Sequence, residues 1–517
     1  MVRSPECCIV LIMSNIVSDM QYLDTGLSTK SLGYLNYIRG ILAQPLGSWE
    51  GFYRAQSPSM NFALRYQLAF ASYALALMSQ RTPAYRTAYA EALRGAVEKM
   101  LHVAAWGYWR VPEGANAGAA HGHVAVLTGP HQRGPLGPPS DPVARDNLQY
   151  SGHLSTMLGF YEKVSGDHRF DEPFTLEDPE SGVSYTYTHG EVAGRIYTQM
   201  RENGFGGVCC EKGMAYVPCN NYSMASNALH DLLHGTTYSQ ANGRWLKTVS
   251  DKMVLKGPAV RGVFGTSYMK DFHLATPVAF NFTDVWGLAF LLPFDRPHVR
   301  KLYARFKKKA IHRDAEGAHV ESSGMSERME ISDVPINTGF GAILAKGVGD
   351  LKLTDDLLRY ATSAFDAGWD ATCYLFMGAP RTLHATALYA LAECMSPGGE
   401  DFSRLFHAPA ASSTDDPVLL QLEDASGRIG VFEAYYSSQE RVLRIGLRQV
   451  GDPAALREAA PVTATLKIGN LPPRVDVQVG GTRHGDYAWL GDGSLLVNAS
   501  VSPQQDVSCV ISLRSQG

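Results

Sequence analysis

From about residue 30 to 397, apolar residues recur at helical spacing between Gly and Pro breaks. Leu64, Leu68, Ala71 and Leu75 fall at three- and four-residue steps, as do Leu154, Met157, Leu158 and Tyr161 after the turn around Gly152. Each stripe predicts a helix that buries one face. Further helices are expected over 85–102, 190–203, 222–234, 241–253, 282–292, 296–308, 336–348, 353–367 and 383–395. Antiparallel helices joined by short loops can close into a ring of helical pairs around an axial cavity.

After Ser396–Glu400 the period changes. Runs such as VLLQLEDASGRIGVFEAYY, RVLRIGLRQV, ATLKIGN, RVDVQVGG and DVSCVISLR alternate apolar and polar residues between Gly, Asp and Pro, which predicts antiparallel strands. The expected organisation is an N-terminal extension over 1–30, a helical toroid over 31–400 that carries the catalytic site, and a small β-sandwich-like domain over 401–517. Gly114 to Pro142 interrupts the helices with six glycines, five prolines, His121, His123 and His131. A loop that long is expected either to cover a pocket mouth or to be a surface insertion.

At 517 residues the chain exceeds what one hydrophobic core usually supports, in line with two units. A net charge of −4 leaves no basic footprint for a phosphate backbone, so nucleic acid is not an expected partner. Arg305 to Lys309 (RFKKK) reads as the solvated end of a helix. No apolar run reaches the ~18–20 residues that span a bilayer. Eight cysteines, three of them crowded at Cys209, Cys210 and Cys219, do not form a disulfide framework. Cys7 to Met13 is a weak secretory signal. A cytoplasmic location is therefore expected, and the sequons at Asn221, Asn281 and Asn498 matter only on a secretory route.

The richest local chemistry is GVCCEKGMAYVPCNNY, Gly207 to Tyr222, with Cys210 and Cys219 nine residues apart around a polar turn. A thiol acts as acid, base or nucleophile when neighbours move its pKa, and a histidine is the usual partner; His153 in QYSGHLSTMLGFY can supply it. By themselves two buried cysteines and one histidine are as readily packing groups. Other signals are set aside. His230 and His234 in HDLLH have zinc-ligand spacing but no evident third ligand, and His234 suits a helix C-terminus. The HGH pair His121 and His123 reads as solvated, and GFGAILAKGVG lacks the glycine spacing of a nucleotide loop. No metal and no cofactor are expected.

LGYLNYIRG (Leu32 to Gly40), RYQLAFASYAL (Arg65 to Leu75), WGYW (Trp106 to Trp109), YSGHLSTMLGFYEKVSG (Tyr150 to Gly166) and CEKGMAYVPCN (Cys210 to Asn220) occur in an order that resembles the linalool dehydratase/isomerase family. The resemblance runs over about residues 30–395. It implies a mainly α chain built as an (α/α)6 barrel, followed here by the small antiparallel β domain. It also implies a central hydrophobic site for a terpene alcohol, no cofactor, and association of copies through outer helices. The family's active-site histidine falls on His153, its two cysteines on Cys210 and Cys219, and one tyrosine on Tyr66. Its catalytic aspartate falls on Arg39, a nearby tyrosine on Pro45, and a second pocket tyrosine on Phe282. Tyr37, Gln149, Tyr150, Glu211, Tyr216, Phe282 and Asp284 complete the expected substrate-binding set.

An arginine is no acid or base at neutral pH but can polarise an oxygen. The altered set therefore points to isomerisation or cyclisation of a terpenoid-like or polyene substrate in secondary metabolism, including an intramolecular cycloaddition of Diels–Alder type. In that reading orientation lowers the barrier, with Arg39, His153 and Tyr66 anchoring the substrate. The alternative is a hydro-lyase or isomerase of an allylic alcohol, with Cys210 or Cys219 and His153 exchanging protons and Tyr66 or Asp284 standing in for the missing acid. Outside this class stand a glycan-processing toroid using carboxylates among Glu211, Asp284, Glu321, Glu327 and Asp370, and a non-catalytic binding scaffold.

Overall fold

A computed structural model describes residues 26–52, 63–112, 136–211, 213–257, 262–322, 334–377 and 383–514. Most of the Gly/Pro-rich insertion, with its three histidines, lies outside the described residues. Its last residues are described, and Leu136–Pro139 pairs with Arg110–Pro112 as a two-stranded ribbon.

Thirteen helices carry the description. They are α1 (Thr29–Leu42), α2 (Leu64–Ser79), α3 (Arg86–Leu101), α4 (Leu148–Ser165), α5 (His189–Glu202), α6 (Val217–His234) and α7 (Asn242–Thr248), then α8 (Asn281–Leu291), α9 (Arg296–Ala310), α10 (Val334–Val348), α11 (Leu351–Ala364), α12 (Leu383–Cys394) and α13 (Glu400–His407). The even-numbered helices α2 to α12 form a cycle in which each packs on the next and α12 packs back on α2. The odd-numbered helices lie outside: α1 on α12, α3 on α2 and α4, α5 on α4 and α6, α7 on α6, α9 on α8, and α11 on α10.

The two sets differ in how they bury side chains. Arg65 through Ser79 of α2 are all buried, and so are Leu148 through Lys163 of α4. The periodic apolar positions on these helices predicted one buried face, but helices enclosed on all sides bury every face. Outer helices keep the one-faced pattern: α11 buries Leu353, Leu357 and Ala361 along one stripe. Polar residues on α2 and α4 are therefore enclosed and need partners, which makes Arg65, Gln149, His153 and Thr156 conspicuous.

Helix α13 packs on α2 and α6, so the strand-rich part starts at Val418. Two antiparallel sheets follow. One runs in the order Val418–Asp424, Val462–Gly469, Leu495–Val501, Tyr487–Trp489. The other runs Ile429–Ser437, Val442–Gln449, Val507–Leu513, Val475–Val479, Thr482–Arg483. Leu466, Ile468 and Val497 of one sheet share a core with Leu443, Ile445 and Ile511 of the other. Ala84, Tyr85 and Ala88 at the start of α3 enter the same core, which fixes this unit against the outer helices.

Candidate active site

The chain enters α4 through two consecutive left-handed residues, Asp146 (φ 56°) and Asn147 (φ 49°), a conformation that side chains adopt only when their surroundings hold them there. Tyr108 donates to Asn147 Oδ1 at 2.6 Å, Asn147 Nδ2 donates to the Pro142 carbonyl at 3.1 Å, and the Asp146 N–H is taken by Gln199 Oε1 at 2.7 Å. These braces set the position of the first turns of α4, which carry Gln149 and His153.

His153 is fully buried. Its Nδ1 lies 2.7 Å from the Tyr73 hydroxyl, and Nε2 has no hydrogen-bond partner. Thr156, one turn further along α4, donates its hydroxyl to the Gly152 carbonyl at 2.8 Å. Where Tyr73 accepts from Nδ1–H, Nε2 is a lone pair; where Tyr73 donates, Nε2 carries the ring proton. Burial first, then the charges of Arg65 and His384, push the His153 pKa well below the usual histidine value, so the ring is neutral.

Arg65 is the buried guanidinium of the cluster. It donates to Gln149 Oε1 at 3.2 Å and lies 3.9 Å over the Tyr108 ring and 4.7 Å over that of Tyr66. Tyr66 donates to the same Gln149 oxygen at 3.0 Å. The WGYW segment thus serves this site through Tyr108. Beneath these polar groups the rings of Tyr66, Phe70, Tyr222, Trp286, Phe340 and His384 pack on one another; Tyr66 meets Trp286 edge-on at 5.3 Å and His384 stacks on Phe70 at 4.7 Å.

The nine-residue cysteine spacing has a local cause. Cys210 N–H donates to the Met214 carbonyl at 2.9 Å, and a bridge between Glu211 and Met214 reverses the chain. Asn220, in the first turn of α6, accepts from Val208 N–H at 2.8 Å and returns Nδ2 to the Val208 and Tyr216 carbonyls, both at 3.0 Å. This clip folds the segment before Cys210 onto the helix that carries Cys219 and brings the two thiols, neither in a disulfide, within interaction range of each other. Burial, then the contact with Cys219, pushes the Cys210 pKa well up. Arg65 and Tyr66 both lie within electrostatic reach of Cys219.

Glu211 is buried and its pKa rises to about 7 because of that burial, with Tyr216 and Arg65 opposing the shift. Its Oε2 stands 3.4 Å from the Tyr216 hydroxyl and its Oε1 has no hydrogen-bond partner. Asp284 also rises to about 7 through burial, but both its oxygens are engaged, by Val263 N–H at 2.6 Å and Phe264 N–H at 2.8 Å. Asp284 holds a loop, whereas Glu211 keeps one carboxyl oxygen unpartnered.

His153, Cys210, Cys219, Tyr66, Gln149, Glu211 and Tyr216 therefore come together, and Phe282 stands at the margin, 6.3 Å from Trp286. Arg39 does not join them. It sits half-buried on the outer helix α1, hydrogen-bonded to Tyr85, beside a surface recess shared with Asn36, Glu91 and Glu98. Tyr37 is on that same outer helix, and Tyr150 points to α3, donating to the Met100 carbonyl at 3.1 Å. Of the carboxylates weighed for glycan chemistry, Glu321 is exposed and pairs with His312, Asp370 is exposed, and Glu327 lies outside the described residues. Arg65, Tyr73, Tyr108, Trp286 and His384 were not anticipated; polar or aromatic residues within segments that are apolar on every helical face were the available signal.

A neutral imidazole, two thiols, a carboxyl group near neutrality and an arginine thus lie together among aromatic rings, a set of perturbed titratable groups of the kind found at functional sites. The family model for linalool dehydratase/isomerase matches residues 65–379, more than half of the chain, and the chain belongs to that family of enzymes. Among solved structures it is similar to a GH127 β-L-arabinofuranosidase from Geobacillus stearothermophilus T6, at 12% identity and a TM-score of 0.22 over 94% of this chain and 76% of that one. A second GH127 β-arabinofuranosidase matches at 9% identity and a TM-score of 0.26, over 92% and 74%. Among the described residues no helix is long and apolar enough to cross a membrane.

Proposed function

We propose that the chain is an (α/α)6-barrel isomerase or hydro-lyase that moves protons on an apolar allylic alcohol or polyene held among the six inner helices. The observation that carries this reading is the meeting of two unpartnered groups in one enclosed cluster: His153 Nε2, a buried ring nitrogen without a hydrogen-bond partner, and Glu211 Oε1, an unpartnered oxygen of a carboxyl group titrating near neutrality. Dehydration or allylic isomerisation needs one group to protonate the leaving hydroxyl and another to take a proton from carbon. Glu211 supplies the proton, with Cys210 and Cys219 as the adjoining relay, and His153 receives one. Arg65 and Tyr66 bind the substrate oxygen through their shared partner Gln149. Glu211 thus takes the place of the acid that appeared lost at Arg39.

A cyclisation is the second reading, favoured by the aromatic floor. The faces of Tyr66, Phe70 and Trp286 can stabilise a developing carbocation by roughly 0.5–2 kcal/mol per ring, and a cycloaddition of Diels–Alder type needs orientation alone. Turnover of allylic terpene alcohols deuterated at the carbon that loses its proton, run in ¹⁸O-labelled water beside linear polyenes, separates the two. Release of deuterium to water on dehydration, or ¹⁸O in the transposed alcohol, both lost in His153→Ala, is expected; a cyclic isomer that keeps all its deuterium and gains no ¹⁸O would replace proton transfer by a pericyclic route. A purified chain that binds such compounds without converting any would overturn both.

A further inference from the structure

At one end of the helical unit, away from the aromatic cluster, four side chains from four elements converge. Glu162 comes from the last turn of α4, Asp171 from the short turn of helix Arg169–Asp171, His189 from the first turn of α5 and His234 from the last turn of α6. One donor atom from each lies within 4.8 Å of all the others. His234 Nε2 is 3.1 Å and His189 Nδ1 3.4 Å from Glu162 Oε2, and His234 Nε2 is 3.8 Å from Asp171 Oδ1. Donors held about 2.0–2.1 Å from a tetrahedral zinc ion stand about 3.3–3.4 Å from one another. The observed separations bracket that edge.

Two further observations distinguish this cluster from an ordinary surface ion pair. Glu162 is 5% exposed and its Oε1 accepts no hydrogen bond, with His168 Nδ1 standing 3.2 Å away. His189 is 1% exposed and its Nε2 has no hydrogen-bond partner. Two imidazole nitrogens therefore converge on one oxygen of a buried carboxylate. Neutral rings meet it by donating from His189 Nδ1 and His234 Nε2, with His230 centred 5.3 Å from His189 and 4.4 Å from His234. With those two nitrogens as lone pairs instead, one divalent cation takes both of them and both carboxylates at once. His230 itself turns away: its Nδ1 meets the Thr236 hydroxyl at 2.9 Å. The HDLLH segment thus gives one ligand rather than two, and the partners missing in sequence come from α4, α5 and the Arg169–Asp171 turn.

We propose that Glu162, Asp171, His189 and His234 bind a divalent transition-metal ion of the zinc class that clamps the outer helix α5 to the inner helices α4 and α6. The four protein ligands make a closed site, so the ion is structural. Glu162 lies nine residues beyond His153 on α4, about 13–14 Å along its axis, too far for the ion to touch the reacting substrate.

The test uses the full, untagged chain stripped with a chelator and titrated with zinc, followed by metal analysis and thermal unfolding. Expected is about one zinc per chain after desalting and a rise in Tm of at least ~2 °C that magnesium does not produce. In Glu162→Gln and in the more exposed His234→Ala, retained zinc should fall at least ~10-fold and the Tm rise should vanish. Failure of the wild-type chain to retain zinc or to gain Tm would overturn the proposal. Undiminished zinc in both variants would overturn the ligand assignment. Neither readout depends on turnover, so the outcome is independent of the proposed activity.

Discussion

Glu211 shows how enclosure can hold a carboxyl group's proton towards neutral pH. Its pKa, near 4.3 for a free glutamate, moves to about 7 because charge is disfavoured where water is excluded. The folded state then holds the proton more tightly than the unfolded state. Its contribution to stability is present below about pH 4.3 and is lost as pH rises towards 7. kcat/KM is expected to fall as pH rises through about 7. In Glu211→Gln that limb should disappear together with ~10²–10⁴-fold of the rate, while stability between pH 5 and 8 becomes flatter; pH–rate profiles and denaturant titrations read both. Arg65 makes a second contrast. Arg65→Lys removes the planar stack on Tyr108 and the guanidinium hydrogen bond to Gln149, and kcat/KM should drop by at least ~10-fold. Arg39→Ala, on the outer helix, should leave it within about 2-fold. The reverse ranking would return Arg39 to the mechanism.

At the scale of elements, the site depends on joints between helices and the segments that enter them. The Asn220 clip is the clearest, since one amide closes three hydrogen bonds between Val208, Tyr216 and the first turn of α6. Asn220→Ala leaves the Val208 N–H and the Val208 carbonyl without these partners, while the Tyr216 carbonyl keeps the Asn220 backbone N–H at 3.1 Å. A loss of about 2–4 kcal/mol is expected, with the two thiols parting and reacting independently with a thiol reagent, measurable by denaturant unfolding and mass spectrometry. Unchanged thiol behaviour would show that the clip does not set their meeting. The Cys-to-Cys spacing and the following Asn were legible as a motif. The reason for the spacing was not, because a backbone reversal at Glu211 and Met214 leaves no periodic trace in sequence.

Across the whole molecule, the helical and strand-rich parts share a core at the start of α3. Tyr85 is buried among sandwich residues and bonded to Arg39 of α1, and Thr87 donates to the Leu419 carbonyl at 2.9 Å. Tyr85→Ala should destabilise the chain by about 3–5 kcal/mol. Because the residue belongs to both parts, helical and strand signals should still be lost in one transition by circular dichroism. Separate transitions would show that the junction does not couple them.

Sequence determined the periods. The change from helical spacing to alternation near residue 400 and the succession of helices from 85 to 395 could be read from side-chain order, because burial imposes a repeat of 3.6 or 2 on any chain that folds this way; His153, Cys210 and Cys219 were singled out by family resemblance, not by that repeat. Tertiary structure decided what those repeats enclose. Six helices buried on every side turn Arg65 and Gln149 into partners across 84 positions of chain, and Tyr73 and His153 across 80. They also leave Arg39 outside and bring Glu162, Asp171, His189 and His234 within a few ångströms. Such meetings depend on which helix lies beside which, and no local pattern encodes that choice.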